Sequence, residues 1–157
     1  MKTPPPGRPT ASGLRVVLLR STFNAAVVDG LVAGAREALA EMGAKKVVVV
    51  DVPGAFELPL AARAAAESGR FDAVVALGAV IKGETDHYEH VARAATDGLA
   101  EVARRTRVPV GFGVLTVAKE EQARSRSAPG PENKGAEAAR AAVAMVGILK
   151  GLRKRNG

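Results

Sequence analysis

The feature that most constrains the fold is a fourfold alternation of short aliphatic runs with longer segments of helical periodicity. The aliphatic runs occupy residues 14–19, 46–52, 71–77 and 109–115. Each run is almost entirely apolar, which is typical of strands that are buried on both faces of a parallel sheet. Strands that alternate with helices form such a sheet with helices on both sides and right-handed crossovers. The sequence therefore predicts an α/β fold, a three-layer α/β/α sandwich around a central four-stranded parallel sheet.

Helices are predicted after these strands from apolar residues at helical spacing and from residues that favour helix ends. The predicted helices cover residues 24–42, 55–68, 86–105, 119–126 and 133–154. Asn24 stands where the N-cap of the first helix is expected. Gly43 and Gly69 stand where helix C-termini favour a left-handed residue.

The chain of 157 residues has the size of one domain, which can bury a core without cross-links. We divide it into a flexible Pro-rich arm, residues 1–13, and a single catalytic domain, residues 14–157. Cysteine is absent, so disulfides, thiolate metal sites and cysteine nucleophiles are excluded. Residues 1–12 lack the apolar run of a signal peptide, and no segment approaches the length of a membrane span. We expect a cytoplasmic protein.

The net charge of +7 raises the question of nucleic-acid binding. Lys150, Arg153, Lys154 and Arg155 lie together near the C-terminus with no acid among them. Aromatic residues, which would stack on bases, make up only 3% of the chain. We therefore expect a solvated basic tail, with neither nucleic acid nor a membrane as a partner.

The residues that could carry chemistry follow the predicted strands. They lie at residues 21–24, 53–57, 78–87 and from Phe112 onward. In open parallel sheets, ligands bind outside the carboxyl ends of the strands, where these segments would meet. This convergence predicts a binding site at that edge of the sheet.

Residues 82–87, Lys-Gly-Glu-Thr-Asp-His, combine the parts of an anion site with a proton carrier. The amide groups of Glu84 and Thr85 would point out of the N-terminus of the next helix, where anions bind. His87 in the first turn of that helix can both donate and accept a proton at neutral pH. Two other interpretations remain open from these residues alone: a histidine on a charged surface, or a metal ion shared by His87 and His90.

Six short motifs, in order and with matching spacing, resemble those of the lumazine synthase family from about Leu14 to Leu152. The motifs are Phe23-Asn24, Pro53-Gly54-Ala55-Phe56-Glu57, Lys82-Gly83-Glu84-Thr85-Asp86-His87-Tyr88, Phe112-Gly113-Val114-Leu115-Thr116, Glu121-Gln122-Ala123 and Asn133-Lys134-Gly135. The resemblance implies a flavodoxin-like domain that condenses 5-amino-6-(D-ribitylamino)uracil with 3,4-dihydroxy-2-butanone 4-phosphate. The product would be 6,7-dimethyl-8-ribityllumazine, in riboflavin biosynthesis, with phosphate and water released. The resemblance implies neither a metal nor an organic cofactor.

The same resemblance assigns roles to individual residues. His87 would be the catalytic proton donor and acceptor. The residues implied to hold the pyrimidine and its ribityl chain are Phe23, Ala55, Phe56, Glu57, Ala79, Val80, Ile81 and Phe112. The residues implied to hold the phosphate are Glu84, Thr85 and Arg126, and Lys134 and Lys82 are further candidates.

The resemblance also implies an assembly, because the sites of this family lie between neighbouring subunits. Phe112 and Arg126 would then come from the adjacent chain. We expect at least a homopentamer, with a sixty-subunit shell as the larger alternative. Residues 128–132 lack the loop pattern that is common in the family, which leaves the choice between pentamer and shell open. Riboflavin synthase is a further candidate partner.

One other function remains as an alternative within the same fold. A non-catalytic paralogue could bind riboflavin or another flavin, because the reaction product resembles part of a flavin. A receiver-like domain is disfavoured, since it would need an acidic cluster after its first strand and residues 21–24 provide none.

Overall fold

The computed structural model describes residues 9–154. The strands are β1 (Arg15–Ser21), β2 (Lys46–Val52), β3 (Ala73–Ile81) and β4 (Val110–Val117). The helices are α1 (Ala25–Glu41), α2 (Leu58–Glu67), α3 (His87–Thr106), α4 (Glu120–Ser127) and α5 (Lys134–Lys154), and a 3-10 turn at Ala55–Glu57 precedes α2. Residues 1–8 of the predicted arm and residues 155–157 of the basic tail lie outside the described residues. Within residues 9–154, no helix combines the length and apolarity needed to cross a membrane.

The strands form one parallel sheet in the order β2-β1-β3-β4. Helices α1, α4 and α5 pack on one face of this sheet, and α2 and α3 pack on the other. The predicted three-layer α/β/α sandwich is therefore confirmed. The strand order corresponds to the first four strands of a flavodoxin-like sheet.

β3 is the centre of the core because helices cover both of its faces. Every residue of β3 is buried except Ile81, which is partly exposed. Val75 and Leu77 pack against the α1 and α5 side, whereas Val74 and Ala76 pack against the α2 and α3 side. Since side chains alternate between faces along a strand, a strand covered on both sides has no position left for a polar residue.

β2 differs from the prediction that all four strands are buried on both faces. Val48 and Val50 remain 43% and 42% exposed. They pair with Val17 and Leu19 of β1, whose side chains lie on the α2 and α3 side of the sheet. Because β2 is an edge strand and these two helices pack over β1, β3 and β4, one face of β2 is left uncovered.

β3 and β4 end later than predicted. Residues 78–81, expected in a loop, continue β3 because they pair in register with residues 114–117 of β4. β1, in contrast, pairs with β3 only as far as Leu77. β3 therefore projects beyond β1 at the carboxyl edge of the sheet.

The helix ends follow the predicted residues with one exception. Gly43 and Gly69 have left-handed backbones with φ of 90° and 72°, as expected of helix C-termini. Asn24 occupies the N-cap position of α1, but its side chain makes no capping hydrogen bond. Its amide nitrogen instead donates to the carbonyl of Ala79, 2.9 Å away on β3.

The last part of the predicted arm packs onto the domain. Ala11 is fully buried in the core that α1 and α5 share. Its N–H donates to the carbonyl of Met42, just beyond α1, at 2.8 Å. This backbone contact ties the start of the described chain to the amino end of the sheet.

Arg15 and Asp72 join the amino ends of β1 and β3. The Arg15 N–H donates to Asp72 Oδ2 at 2.7 Å, and its guanidinium lies 3.3 Å from Asp72 Oδ1. Partial burial acts to raise the pKa of the Asp72 carboxyl, but the hydrogen bonds and charge of Arg15 outweigh it and lower the pKa below its usual 3.8. The ionised carboxylate therefore stabilises the folded chain.

We expect Asp72→Asn to reduce the free energy of unfolding by about 1 kcal/mol near neutral pH, since the side chain is partly exposed. A carboxyl whose pKa is lower in the folded chain stabilises it above the unfolded pKa, and this contribution disappears as the pH falls through the folded pKa. The difference between variant and wild type should therefore shrink below about pH 4. Urea unfolding across this range measures it.

Asp97→Asn provides the matched control, because Asp97 is exposed on α3 and forms no ion pair with any residue in the described range. Its substitution should leave the unfolding free energy unchanged. A pH-independent loss in Asp72→Asn would contradict a stabilising role for the ionised carboxylate.

Candidate active site

A cleft of about 710 Å³ opens at the carboxyl edge of the sheet, where β3 projects beyond β1. Four segments form its walls: the turn after β1, the 3-10 turn after β2, the end of β3, and the first turns of α3. The cleft is lined by Phe23, Pro53, Gly54, Ala55, Phe56, Glu57, Ala79, Val80, Ile81, Gly83, Thr85, His87, Tyr88 and Val91. Three of the four segments predicted to converge, residues 21–24, 53–57 and 78–87, thus contribute to one cavity, whereas no described residue from Phe112 onward lines it.

Most of the predicted site residues line this cleft. Those found there are Phe23, Ala55, Phe56, Glu57, Ala79, Val80, Ile81, Thr85 and His87. Lys82 and Glu84 lie in the exposed loop beside it, between β3 and α3. Phe112, Arg126 and Lys134 do not line it in the same chain.

Two phenylalanine rings stand at the cleft with most of their surface exposed. Phe23 is 69% exposed and Phe56 is 64% exposed, although phenylalanine is among the side chains most often buried. Ala79 and Val80, by comparison, are buried at the end of β3. The cleft therefore offers aromatic surfaces above a rigid strand, an arrangement suited to a flat ring.

The loop between β3 and α3 exposes backbone donors next to His87. Within the described part of the chain, the amide groups of Glu84 and Thr85 donate to no protein acceptor. Thr85 Oγ1 accepts a hydrogen bond of 3.4 Å from the N–H of His87, the first residue of α3. Free amides at a helix N-terminus bind anions, and the imidazole of His87 lines the same cleft as Thr85, where an imidazole can exchange protons with a ligand.

Arg126 and Lys134 line a second cavity, of about 450 Å³, that borders the loop between α4 and α5. The Arg126 guanidinium donates to the carbonyl of Gln122 at 3.1 Å. Lys134 Nζ lies 2.8 Å from a carboxylate oxygen of Glu137. Arg126 and the motif that contains Lys134 therefore meet in space, at a place separate from the cleft.

Phe112 was expected at the end of its strand and lies near the beginning instead. It is the third residue of β4 and pairs with Ala76, whereas the residues of β3 at the cleft pair further along with residues 115–117. Its ring is 46% exposed. Phe112 therefore lies within β4, five residues before its end at Val117, and the prediction that placed it among the residues that follow the strand was wrong.

Asn133 connects the end of α4, the helix that carries Arg126, to two other helices. The side chain is 2% exposed and lies directly before α5. Its amide nitrogen lies 3.0–3.1 Å from three carbonyls, those of Gly30, Ser127 and Ala128, and its oxygen accepts from the N–H groups of Gly135 and Ala136. One buried amide thus fixes the end of α4, the start of α5 and the middle of α1 relative to one another.

The alternative of a metal site has no geometric support in the described residues. No group of three or more His, Asp or Glu side chains there could hold a metal ion. His90, the suggested second ligand, does not line the cleft. His87 lines the cleft because it is the first residue of α3. Its place there does not depend on a group of metal ligands.

Sequence reasoning did not include several residues that line the cleft, among them Tyr88 and Val91. Val91 lies four residues after His87 on α3, and such residues share one helix face, so helical spacing could have identified it. Asn24 was interpreted as a helix cap. Its contact with Ala79 depends on the distance between two loops, for which the sequence contains no signal.

The chain is similar to known proteins over most of its length. A family model described as 6,7-dimethyl-8-ribityllumazine synthase matches residues 13–150. A protein of Kineococcus radiotolerans, named 6,7-dimethyl-8-ribityllumazine synthase, is 52% identical over 143 residues, which cover 90% of this chain and 88% of that protein.

The Asn133 contact generates a stability prediction at Gly34 of α1. A methyl group at Gly34 would collide with the Asn133 side-chain amide. We expect Gly34→Ala to lower the free energy of unfolding by about 2–3 kcal/mol, because a close-packed site cannot absorb the added volume.

Gly147→Ala in α5 is the control, since its added methyl group meets no atom within 4 Å. It should be neutral or stabilising by up to about 1 kcal/mol. Equal effects in denaturant unfolding would contradict the tight contact.

Proposed function

The chain belongs to the 6,7-dimethyl-8-ribityllumazine synthase family, and we propose that it condenses 5-amino-6-(D-ribitylamino)uracil with 3,4-dihydroxy-2-butanone 4-phosphate at the cleft of Phe23 and His87. The product is 6,7-dimethyl-8-ribityllumazine, formed with release of phosphate and water in riboflavin biosynthesis. The chain is accordingly a transferase. The observation that carries the proposal is the cleft itself, which assembles the residues of three separate strand-end motifs in one cavity.

The synthase activity is favoured over a non-catalytic flavin-binding role. The relative that is 52% identical is named as a synthase, and the matching family carries the same description. The cleft also contains a histidine next to unpaired amides, which a purely stacking site for a flavin would not need.

The pyrimidine ring and its ribityl chain occupy the deeper part of the cleft in this proposal. Phe23 stacks on the ring, and Ala79, Val80 and Ile81 hold its edge through backbone groups. Ala55 and Phe56 line the opposite wall. Glu57, which ends the 3-10 turn, accepts hydrogen bonds from the ribityl hydroxyls.

The phosphate of the second substrate lies at the N-terminus of α3. The unpaired amides of Glu84 and Thr85 provide donors, and the positive end of the helix dipole favours the negative charge. Lys82 lies in the same exposed loop and adds a positive charge nearby. His87, the first residue of α3, is then placed beside the reacting carbons.

His87 moves protons during the condensation. The 5-amino group of the pyrimidine attacks the ketone carbonyl and releases one water, and phosphate then leaves. The ribitylamino nitrogen closes the ring on the second carbonyl carbon with loss of a second water, and each of these steps transfers a proton. An imidazole that reaches the cleft can serve several of them in turn. Holding both substrates together provides much of the acceleration, since proximity alone contributes up to about 7–11 kcal/mol.

The remaining site residues come from a neighbouring chain in this proposal. Phe112 and Arg126 are implied by the family motifs but lie away from the cleft of their own chain. Lys134 lies with Arg126 and would accompany it. A ring of identical chains lets each one complete its neighbour's site, and a homopentamer is the smallest such assembly that we propose. A sixty-subunit shell built from pentamers is the larger form.

The direct test mixes the two substrates with the purified protein and follows phosphate release and lumazine formation. The expected result is release of phosphate together with lumazine, well above the uncatalysed rate. A protein that binds riboflavin but releases no phosphate above that rate would favour the flavin-binding alternative and reject the proposal.

We expect His87→Ala to reduce kcat by about 10²- to 10⁴-fold, the usual contribution of a positioned proton carrier. The affinity for the product should change little, because the aromatic and backbone contacts remain. Steady-state kinetics and titration with the lumazine measure the two effects.

His90→Ala is the control, since His90 is exposed on the same helix and does not line the cleft. Comparable losses in both variants would argue against a specific role for His87.

We expect Arg126→Ala to raise the KM for the phosphate substrate by about 10- to 100-fold, the range for losing a hydrogen bond to a charged group. The KM for the pyrimidine should be unaffected. Arg124→Ala is the matched control on the same helix, because Arg124 pairs with Glu120 at 3.0 Å and lies outside the Arg126 cavity. An equal rise in both KM values would contradict a phosphate contact.

A shared site can be tested by co-expressing His87→Ala and Arg126→Ala chains. If each site takes these residues from two chains, random mixed rings contain intact sites in about a quarter of positions, and activity returns to that extent. If each site lies within one chain, every site carries a substitution. Activity then stays low when it is assayed with the phosphate substrate well below the raised KM of Arg126→Ala. Light scattering on the same sample should give a mass that is a multiple of five 16.1 kDa chains.

Two further statements stay predictions. We expect the chain in the cytoplasm, which fractionation of the source cells would test. We also expect riboflavin synthase, the enzyme that would use the lumazine, as a candidate partner, and co-sedimentation of the two purified proteins would reveal a stable complex.

A further inference from the structure

The end of β3 has a strand partner on one side only. On one side, residues 78–81 pair with β4. On the other side, pairing with β1 ends at Leu77. The amide nitrogen of Asn24 donates to the Ala79 carbonyl at 2.9 Å and so supplies a hydrogen bond where β1 no longer does.

Asn24 adopts an unfavourable backbone conformation to make this contact. Its φ and ψ are 58° and 47°, in the left-handed region that most side chains avoid. Only one other non-glycine residue in the described range, Arg107, has a positive φ. Asparagine tolerates this region better than most residues. Its side chain also does not make the hydrogen bond by which an N-cap asparagine usually caps a helix, here the N-terminus of α1.

The contact lies on the side of β3 whose backbone groups face the cleft. Polar groups of successive residues in a strand point to opposite sides, and the N–H of Lys82 donates to Val117 on the β4 side. Ala79 and Ile81 therefore both point their polar groups away from β4, where Asn24 holds the carbonyl of Ala79. Ile81, two residues on, presents its N–H and C=O to the cleft that it lines.

The same hydrogen bond also restrains the position of Phe23. Phe23 immediately precedes Asn24, and its exposed ring lines the cleft opposite the end of β3. A hydrogen bond from Asn24 to β3 therefore limits the distance between Phe23 and Ile81. These are the two surfaces between which a flat ring would be held.

We propose that Asn24 is a positioning residue, which fixes the Phe23 turn and the β3 backbone at the spacing that the pyrimidine ring requires. The inference rests on the proposed function, because it concerns the pyrimidine part of that site. It predicts an effect on the pyrimidine that does not extend to the phosphate. Glu84 and Thr85 lie beyond Lys82, whose N–H donates to the Val117 carbonyl of β4 and not to Asn24.

Two variants remove the side-chain N–H donor of Asn24 but still tolerate the left-handed backbone conformation at this position. Asn24→Gly accepts a positive φ without strain, and Asn24→Asp keeps the size of the side chain but has no N–H to donate when ionised. Arg107→Gly is the matched control, because Arg107 has a φ of 60° at the C-terminus of α3 and does not line the cleft. It isolates the effect of a glycine at a left-handed position.

We expect both Asn24 variants to raise the KM for the pyrimidine and the dissociation constant of the lumazine about fivefold to tenfold. The KM for the phosphate substrate should stay at the wild-type value in both variants, and Arg107→Gly should match the wild type in every constant. Unchanged pyrimidine constants would overturn the proposal. An equal rise in both KM values with a lower unfolding midpoint would also overturn it, because it would indicate a general structural role.

Amide hydrogen exchange provides a readout that does not depend on turnover. A peptide covering residues 78–83 should exchange about tenfold faster in Asn24→Gly than in the wild type or in Arg107→Gly, if losing the bond frees the β3 end. Unchanged exchange would overturn the proposal. A wild type without turnover that still shows this difference would reject the proposed function and support the positioning contact.

Discussion

The site depends on the unequal lengths of the two central strands. β3 continues to Ile81 because β4 pairs with it to the end, whereas β1 stops pairing at Leu77. The resulting step in the carboxyl edge of the sheet leaves room for a cleft, and the turn after β1 and the start of α3 form its sides. If β1 were as long as β3, its backbone would fill the space that the substrates need. The register of a parallel sheet thus determines where the chemistry can occur.

A second set of contacts keeps the two cations Arg126 and Lys134 together although eight positions separate them in the chain. Asn133 bonds the end of α4, the start of α5 and α1 through one buried amide. Gly30 and Gly34 lie one turn apart on α1, and a side chain at either would collide with the segment that Asn133 holds. The small residues permit the close approach, and the amide satisfies the carbonyls that this approach would otherwise bury without a partner.

Local patterns were sufficient to predict the elements of the fold, but not the places where distant segments meet. The aliphatic runs identified all four strands, and Gly43 and Gly69 marked helix ends, because these signals lie within a few residues. The end of β3 was missed because it depends on pairing with β4. The exposure of Val48 depends on which strand lies at the edge. His87 and its neighbours were found through motifs, whereas the Asn24 contact requires the distance between two loops.

The composition of the cleft has a practical consequence for spectroscopy. The chain contains no tryptophan and a single tyrosine, Tyr88, which lines the cleft beside His87. The tyrosine absorbance and fluorescence of the protein therefore arise from one ring at the site and not from the core. An aromatic ligand that enters the cleft would quench or shift that one signal directly. The unmodified protein carries its own optical probe of occupancy, with no label and no engineered residue.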